Sequence, residues 1–121
     1  MAKFSKFDEI CKFIFEKYGV KEEFPFKDDD ETAVFRHKNK SKKWFVLFMR
    51  ISGAKFDLKD EVLSVINLKC DPELALILHD KKTIFPAYHM NKKHWISVIL
   101  NTTPKSQVED LIEESFNLTK K

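Results

Sequence analysis

The segment Lys43-Trp44-Phe45-Val46-Leu47-Phe48-Met49-Arg50-Ile51 constrains this chain more than any other. Trp44 to Met49 is unbroken apolar sequence. A strand with one wet face would alternate, and the aromatic and β-branched content favours strand over helix. The segment is predicted to run through the middle of a sheet. Residues 33–38 (AVFRHK) form a second strand, and Asn39 to Lys43 suit the hairpin turn between the two. Residues 62–69 (VLSVINLK) give a third strand, Ile84–Tyr88 a short fourth, and residues 94–100 (HWISVIL) a fifth. Along the fifth, Ile96, Val98 and Leu100 fall on one face, with Trp95, Ser97 and Ile99 on the other.

Three helices complete the pattern. Residues 4–19 carry the stripe Phe7, Ile10, Cys11, Ile14 and Tyr18, with Ser5 and Asp8 at the start and Gly19 at a left-handed C-terminal position. Asp71-Pro72 opens the second, with Asp as N-cap and a stripe of Leu74, Ile77 and Leu78. Thr103-Pro104 opens the third, with a stripe of Val108, Leu111, Ile112 and Leu118. The order is α-β-β-β-α-β-β-α. Consecutive strands with short connections imply an antiparallel sheet. The expectation is one α+β domain over residues 1–121, a two-layer sandwich with helices on one face.

Several function classes find no support. The chain has two glycines and no GxGxxG, GxxxxGK[ST], GxSxG or HExxH, so no phosphate loop or known catalytic motif is present. Its four histidines form no i, i+2 or i, i+4 pair, and no nucleophile–base pair or acid pair can be assigned. Neither a metal, a cofactor nor an enzymatic activity is expected. Cys70 abuts the start of the second helix, which would favour a thiolate, but it has no assigned partner. Cys11 and Cys70 are expected as free thiols in a reducing cytoplasm. No run approaches the roughly 18 apolar residues of a membrane span. The first residues, MAKFSKFDEICKF, are charged and lack a signal-peptide pattern.

What the charge does show is clustering. Arg36, Lys38, Lys40, Lys42, Lys43 and Arg50 share one hairpin with Phe35 and Trp44, and no acid interrupts them. Lys81, Lys82, Lys92 and Lys93 share a second with His89, His94, Tyr88 and Trp95. Acids gather elsewhere, at Asp57, Asp60 and Glu61 and at Glu109, Asp110, Glu113 and Glu114. Lysines on projecting hairpins neutralise phosphates, and neighbouring aromatics stack on bases or pack beneath the lysines. The bland alternative is that turn lysines keep sheet edges soluble.

The blocks Leu68-Lys69-Cys70-Asp71-Pro72-Glu73-Leu74-Ala75 and Tyr88-His89-Met90-Asn91-Lys92-Lys93-His94-Trp95 together resemble the signature of the MmcQ/YjbR family. Glu23-Phe24-Pro25-Phe26 and the last helix resemble it too, so the likeness spans essentially the whole chain. The resemblance implies a CyaY-like (frataxin-like) fold and DNA binding through a "double wing" of hairpins. There are two departures. Lys40-Ser41-Lys42 stands where a turn glycine is expected, and Ile96 stands where a polar residue is usual.

The leading expectation is a monomeric, cytoplasmic DNA-binding protein of low sequence specificity. Lys38, Lys42, Lys43, Lys92 and Lys93 would meet phosphates, with Lys69 adding charge. Tyr88, His89, Asn91 and His94 would hydrogen-bond to phosphate, sugar or base. The alternative is a protein-interaction adaptor using hairpin tips or a sheet edge. Iron binding by analogy with frataxin would need an acidic ridge from Asp8, Glu9 and Asp28 to Glu31, and the net positive charge opposes it.

Overall fold

The computed structural model describes residues 7–27, 31–80, 82–88 and 90–120. Ser5, Asp28 to Asp30, Lys81 and His89, which carry some of the expectations above, lie outside them. The order is α1 (Phe7–Tyr18), β1 (Ala33–Arg36), β2 (Trp44–Ser52), a 3-10 turn (Gly53–Phe56), β3 (Val62–Lys69), α2 (Pro72–Leu78), β4 (Ile84–Pro86), β5 (Trp95–Ile99) and α3 (Lys105–Thr119). All strand pairs are antiparallel, and the sheet order is β1-β2-β3-β5-β4. The apolar segment does occupy an interior strand, β2.

The sheet separates two cores. On one face, Phe35, Phe48, Ile66, Leu68, Ile96 and Val98 pack against Ile10 and Ile14 of α1, Ala75 of α2 and Val108 and Ile112 of α3. On the other, Val34, Leu47, Met49, Val65, Phe85 and Ile99 pack with Phe56 of the 3-10 turn, Leu58 and the loop residues Tyr88 and Met90. Sequence patterning passed over that turn, because four residues are too few to show a period. Its marks are local: the Ser52 hydroxyl accepts the Ala54 N–H, and Gly53 sits where an added Cβ would lie 2.5 Å from the Lys59 carbonyl oxygen. Ile96 faces the helical core fully buried, so its departure from the family pattern touches neither hairpin tip.

Four expectations need correction. Ile77 is 79% exposed, because a two-turn helix buries one face only, and Asp71 at the cap aligns Leu74, Ala75 and Leu78 on it. Leu118 is 44% exposed; the buried stripe of α3 continues instead through Ser115 and Thr119. The fourth strand ends at Pro86, and Tyr88 leaves the ladder to donate its N–H to the Ser97 hydroxyl (2.9 Å). Cys70 is buried, and burial, helped by Glu114 and Asp71, pushes its thiol up to about 11. The helix start is already occupied by the Asp71 carboxylate, which accepts the Glu73 and Leu74 N–H groups. Burial and Glu22 push Cys11 up to about 12, so neither thiol is poised as a nucleophile.

The first hairpin contains a bulge. Phe35 pairs with Val46 and Arg36 with Trp44, so Phe45 is the extra residue and both Phe45 and Val46 point to the helical core. Ser115 of α3 repairs the ladder there. Its hydroxyl donates to the Phe45 carbonyl (2.6 Å) and accepts the Lys69 N–H (2.8 Å), bridging β2 and β3 where they no longer bond directly. Replacing Ser115 with alanine strands both groups in the interior. We expect a loss of about 2 kcal/mol, read as an earlier urea midpoint at unchanged slope.

Candidate nucleic-acid interface

Antiparallel pairing decides which loops meet. Trp44 begins β2, Lys69 ends β3, Trp95 begins β5 and Pro86 ends β4, and the register Arg36↔Trp44, Lys69↔Trp95 and Pro86↔Ile96 aligns them. The β1–β2 turn (37–43) and the β4–β5 loop (87–94) therefore project from the same end of the sheet. Between them lies a depression of about 340 Å3 lined by Lys43, Trp44, Lys69, Met90, Trp95, Leu118 and Thr119. The Lys69 ammonium stands 5.6 Å from the centre of the Trp95 ring, a cation–π contact that holds it at the rim.

The first turn is built by Asn39. Its side-chain oxygen accepts the Ser41 N–H (3.1 Å), the Ser41 hydroxyl (2.6 Å) and the Lys42 N–H (3.2 Å). Lys42 takes the left-handed conformation, φ 48°, at the point where the missing turn glycine was expected. Beneath the turn His37 is buried and bonds Thr119 at 2.7 Å. The Thr119 hydroxyl donates to the Ser115 carbonyl (2.7 Å), so the His37 bond is a donation from Nε2–H. Burial lowers the His37 pKa below its ordinary 6.5, and the Lys43 charge lowers it further against the opposing pull of the Phe116 carbonyl. The unfolded chain then takes up a proton that the folded chain resists, so stability falls as pH drops through 6.5. Melting temperatures measured from pH 7.5 to 5.5 should decline, and His37→Phe should flatten that decline.

The second loop hangs on a buried polar triad that the sequence reading overlooked. The Ser97 hydroxyl donates to the Asn67 side-chain oxygen (2.5 Å), the Asn67 amide donates to the Tyr88 carbonyl (2.9 Å), and the Tyr88 N–H returns to Ser97. Both Asn67 and Ser97 are fully buried. A polar residue on each of two otherwise apolar strands was the available signal. Asn91 shapes the loop tip, its side chain accepting the Lys93 N–H (2.9 Å) and its carbonyl the Trp95 N–H (2.9 Å).

The expected binding residues thus divide. Lys43 and Lys69 converge on the depression, and exposed Lys93, Asn91 and half-buried His94 belong to the loop beside it. Lys38 and Lys42 border a separate hollow with Glu22, Glu23 and Arg36 along the β1 edge. Lys92 braces its own loop, donating from Nζ to the Ala87 carbonyl (2.7 Å) and lining a cleft with Lys55 and Phe56. Trp44 and Trp95, which the sequence placed beside the lysines as aromatics, line the depression, and Met90 joins them without having been given a role. Among the described residues, no three acidic, histidine or cysteine side chains gather as a metal site.

Fold and site together define a helix-backed antiparallel sheet with two basic loops at one end. The YjbR family model matches residues 15–118, and the chain belongs to that family. It is 39% identical to the uncharacterised protein YyaQ of Bacillus subtilis over 115 residues, 93% of this chain and 97% of that one. A crystal structure of a protein from Pseudomonas syringae superposes with a TM-score of 0.89 at 40% identity, covering 94% of this chain and 98% of its own. The Deinococcus radiodurans protein DR2400 superposes at 0.73 with 33% identity, covering 94% of this chain and 78% of its own.

Proposed function

We propose that this protein binds duplex DNA by its phosphates, with low sequence specificity, through the loop-bearing end of the sheet. The observation that carries the reading is the convergence of Lys43 and Lys69 on one depression between the two loops, with Lys93 beside it. The loops then act as the double wing of a CyaY-like fold. Neither edge offers a recognition helix: α3 carries Glu109, Asp110, Glu113 and Glu114, which phosphate would repel. On this reading the protein works as a cytoplasmic monomer, by binding rather than catalysis.

Fluorescence anisotropy of a labelled random duplex tests this. With about four phosphates neutralised, the log–log salt slope is about −3.6 and affinity falls on the order of 100-fold between 50 and 200 mM salt. A salt-insensitive complex contradicts the proposal.

One observation favours the adaptor reading. Leu76 and Ile77 of α2 are 75% and 79% exposed, an apolar pair left uncovered among the described residues. The sheet edges do not add to it. Edge strand β4 is three residues ending in Pro86, and β1 is already bridged by Glu23 at Val34.

A further inference from the structure

The sheet face away from the helices holds a second concavity, which a duplex cannot use. It is a groove of about 720 Å3, with Phe26, Trp44, Leu47, Met49, Tyr88 and Met90 supplying its apolar walls. Arg50 and Asn91 stand on its border. It shares Trp44 and Met90 with the lysine-rimmed depression, so the two are adjacent. Phe26, 42% exposed, meets the Trp44 ring edge-on at 6.1 Å between centres. Volume and lining are those of a small-ligand site.

A duplex presents phosphates, sugars and base edges, and its flat apolar faces are stacked away. An unpaired base offers two such faces, still joined to a phosphate on either side. We infer that this groove receives an unpaired base of a DNA strand, stacked on the Trp44 ring with the Phe26 ring, at 80° to it, against the edge of the base, while Lys43 and Lys69 hold the flanking phosphates. The inference rests on the DNA-binding reading and narrows it to strands with exposed bases, such as gaps, bubbles or ends. Aromatic platforms bind bases with little regard to sequence, and one stacked base is worth about tenfold in affinity. Arg50 and Asn91 supply polar groups at the position a base edge would reach.

The test uses the full chain with three probes of the same length: a blunt duplex, a duplex with a central unpaired stretch, and a single-stranded oligonucleotide. Anisotropy should show the two probes with unpaired bases bound about tenfold more tightly than the blunt duplex. Phe26→Ala, a change at an exposed side chain, should erase most of that preference and leave duplex binding as it was. Tryptophan emission should be quenched by the single strand, and Trp44→Phe should remove most of that quenching. Equal affinities for all three probes, with salt-dependent duplex binding intact, would overturn this inference and leave the proposed function standing. Quenching undiminished in Trp44→Phe would overturn it too, since the stacked base would then not lie on Trp44. Binding of the single strand without any of the blunt duplex would support the groove and refute the duplex reading. No binding of any probe would sink both.

Discussion

Asn67→Leu should lower the melting temperature by about 8–12 °C. Asn67 is fully buried, and its amide is the one side chain that accepts the Ser97 hydroxyl and donates to the Tyr88 carbonyl. Leucine fills the space but leaves a hydroxyl and a carbonyl unsatisfied in the interior. Two such groups cost about 2–3 kcal/mol together, and for a domain this size each kcal/mol moves the melting point by about 4 °C. Ser97→Ala should cost a similar amount by itself, since it spares the Asn67–Tyr88 bond but leaves the Asn67 side-chain oxygen and the Tyr88 N–H unsatisfied. Because the two residues share one network, the double variant should cost less than the sum of the singles. A drop of under 2 °C for Asn67→Leu would show that the triad is replaceable. The change should also release the Tyr88 end of the loop, so it links stability to the proposed interface.

The second large effect concerns charge placement. Lys43→Glu with Lys69→Glu reverses both charges on the depression. Each neutralised phosphate contact contributes about 0.9 to the salt slope, so removing two flattens it by about 1.8. Reversal goes further than removal, because each glutamate repels the phosphate its lysine attracted. Affinity for duplex should fall by more than about 100-fold at 50 mM salt. Neither change should cost much stability, since exposed Lys43 makes no ladder bond through its side chain and Lys69 contributes chiefly a cation–π contact of about 0.5–1 kcal/mol.

The strands and helices were legible because their periods are long enough to read. The unbroken run of β2 identified an interior strand, and Asp71-Pro72 marked the start of α2. What the pattern could not show were polar residues doing interior work. Ser115, Thr119, Asn67 and Ser97 look like interruptions of apolar stripes, yet each is buried because it satisfies backbone or side-chain groups at a bulge or a loop anchor. Ile77 and Leu118 were misplaced for the opposite reason: an apolar residue is not obliged to be inside.

At the site, composition located both basic loops but not which lysines share a space. That depends on β5 lying between β3 and β4, which brings Trp95 beside Lys69 although the two are far apart in sequence. Adjacent lysines part company for the same kind of reason. Both are exposed, but the Lys92 ammonium is tied to the Ala87 carbonyl of its own loop.

The most direct measurement compares two doubly reversed variants with the same change in net charge. Lys43→Glu, Lys69→Glu alters the loop-bearing end of the sheet. Lys59→Glu, Lys105→Glu alters the β2–β3 connection and the start of α3, at the other end. Duplex anisotropy titrations from 50 to 200 mM salt would be run on both and on the unaltered chain. The account predicts that the first variant loses binding and salt slope while the second keeps nearly all of both. Equal losses in the two variants would mean that overall charge, and not this end of the sheet, draws the DNA.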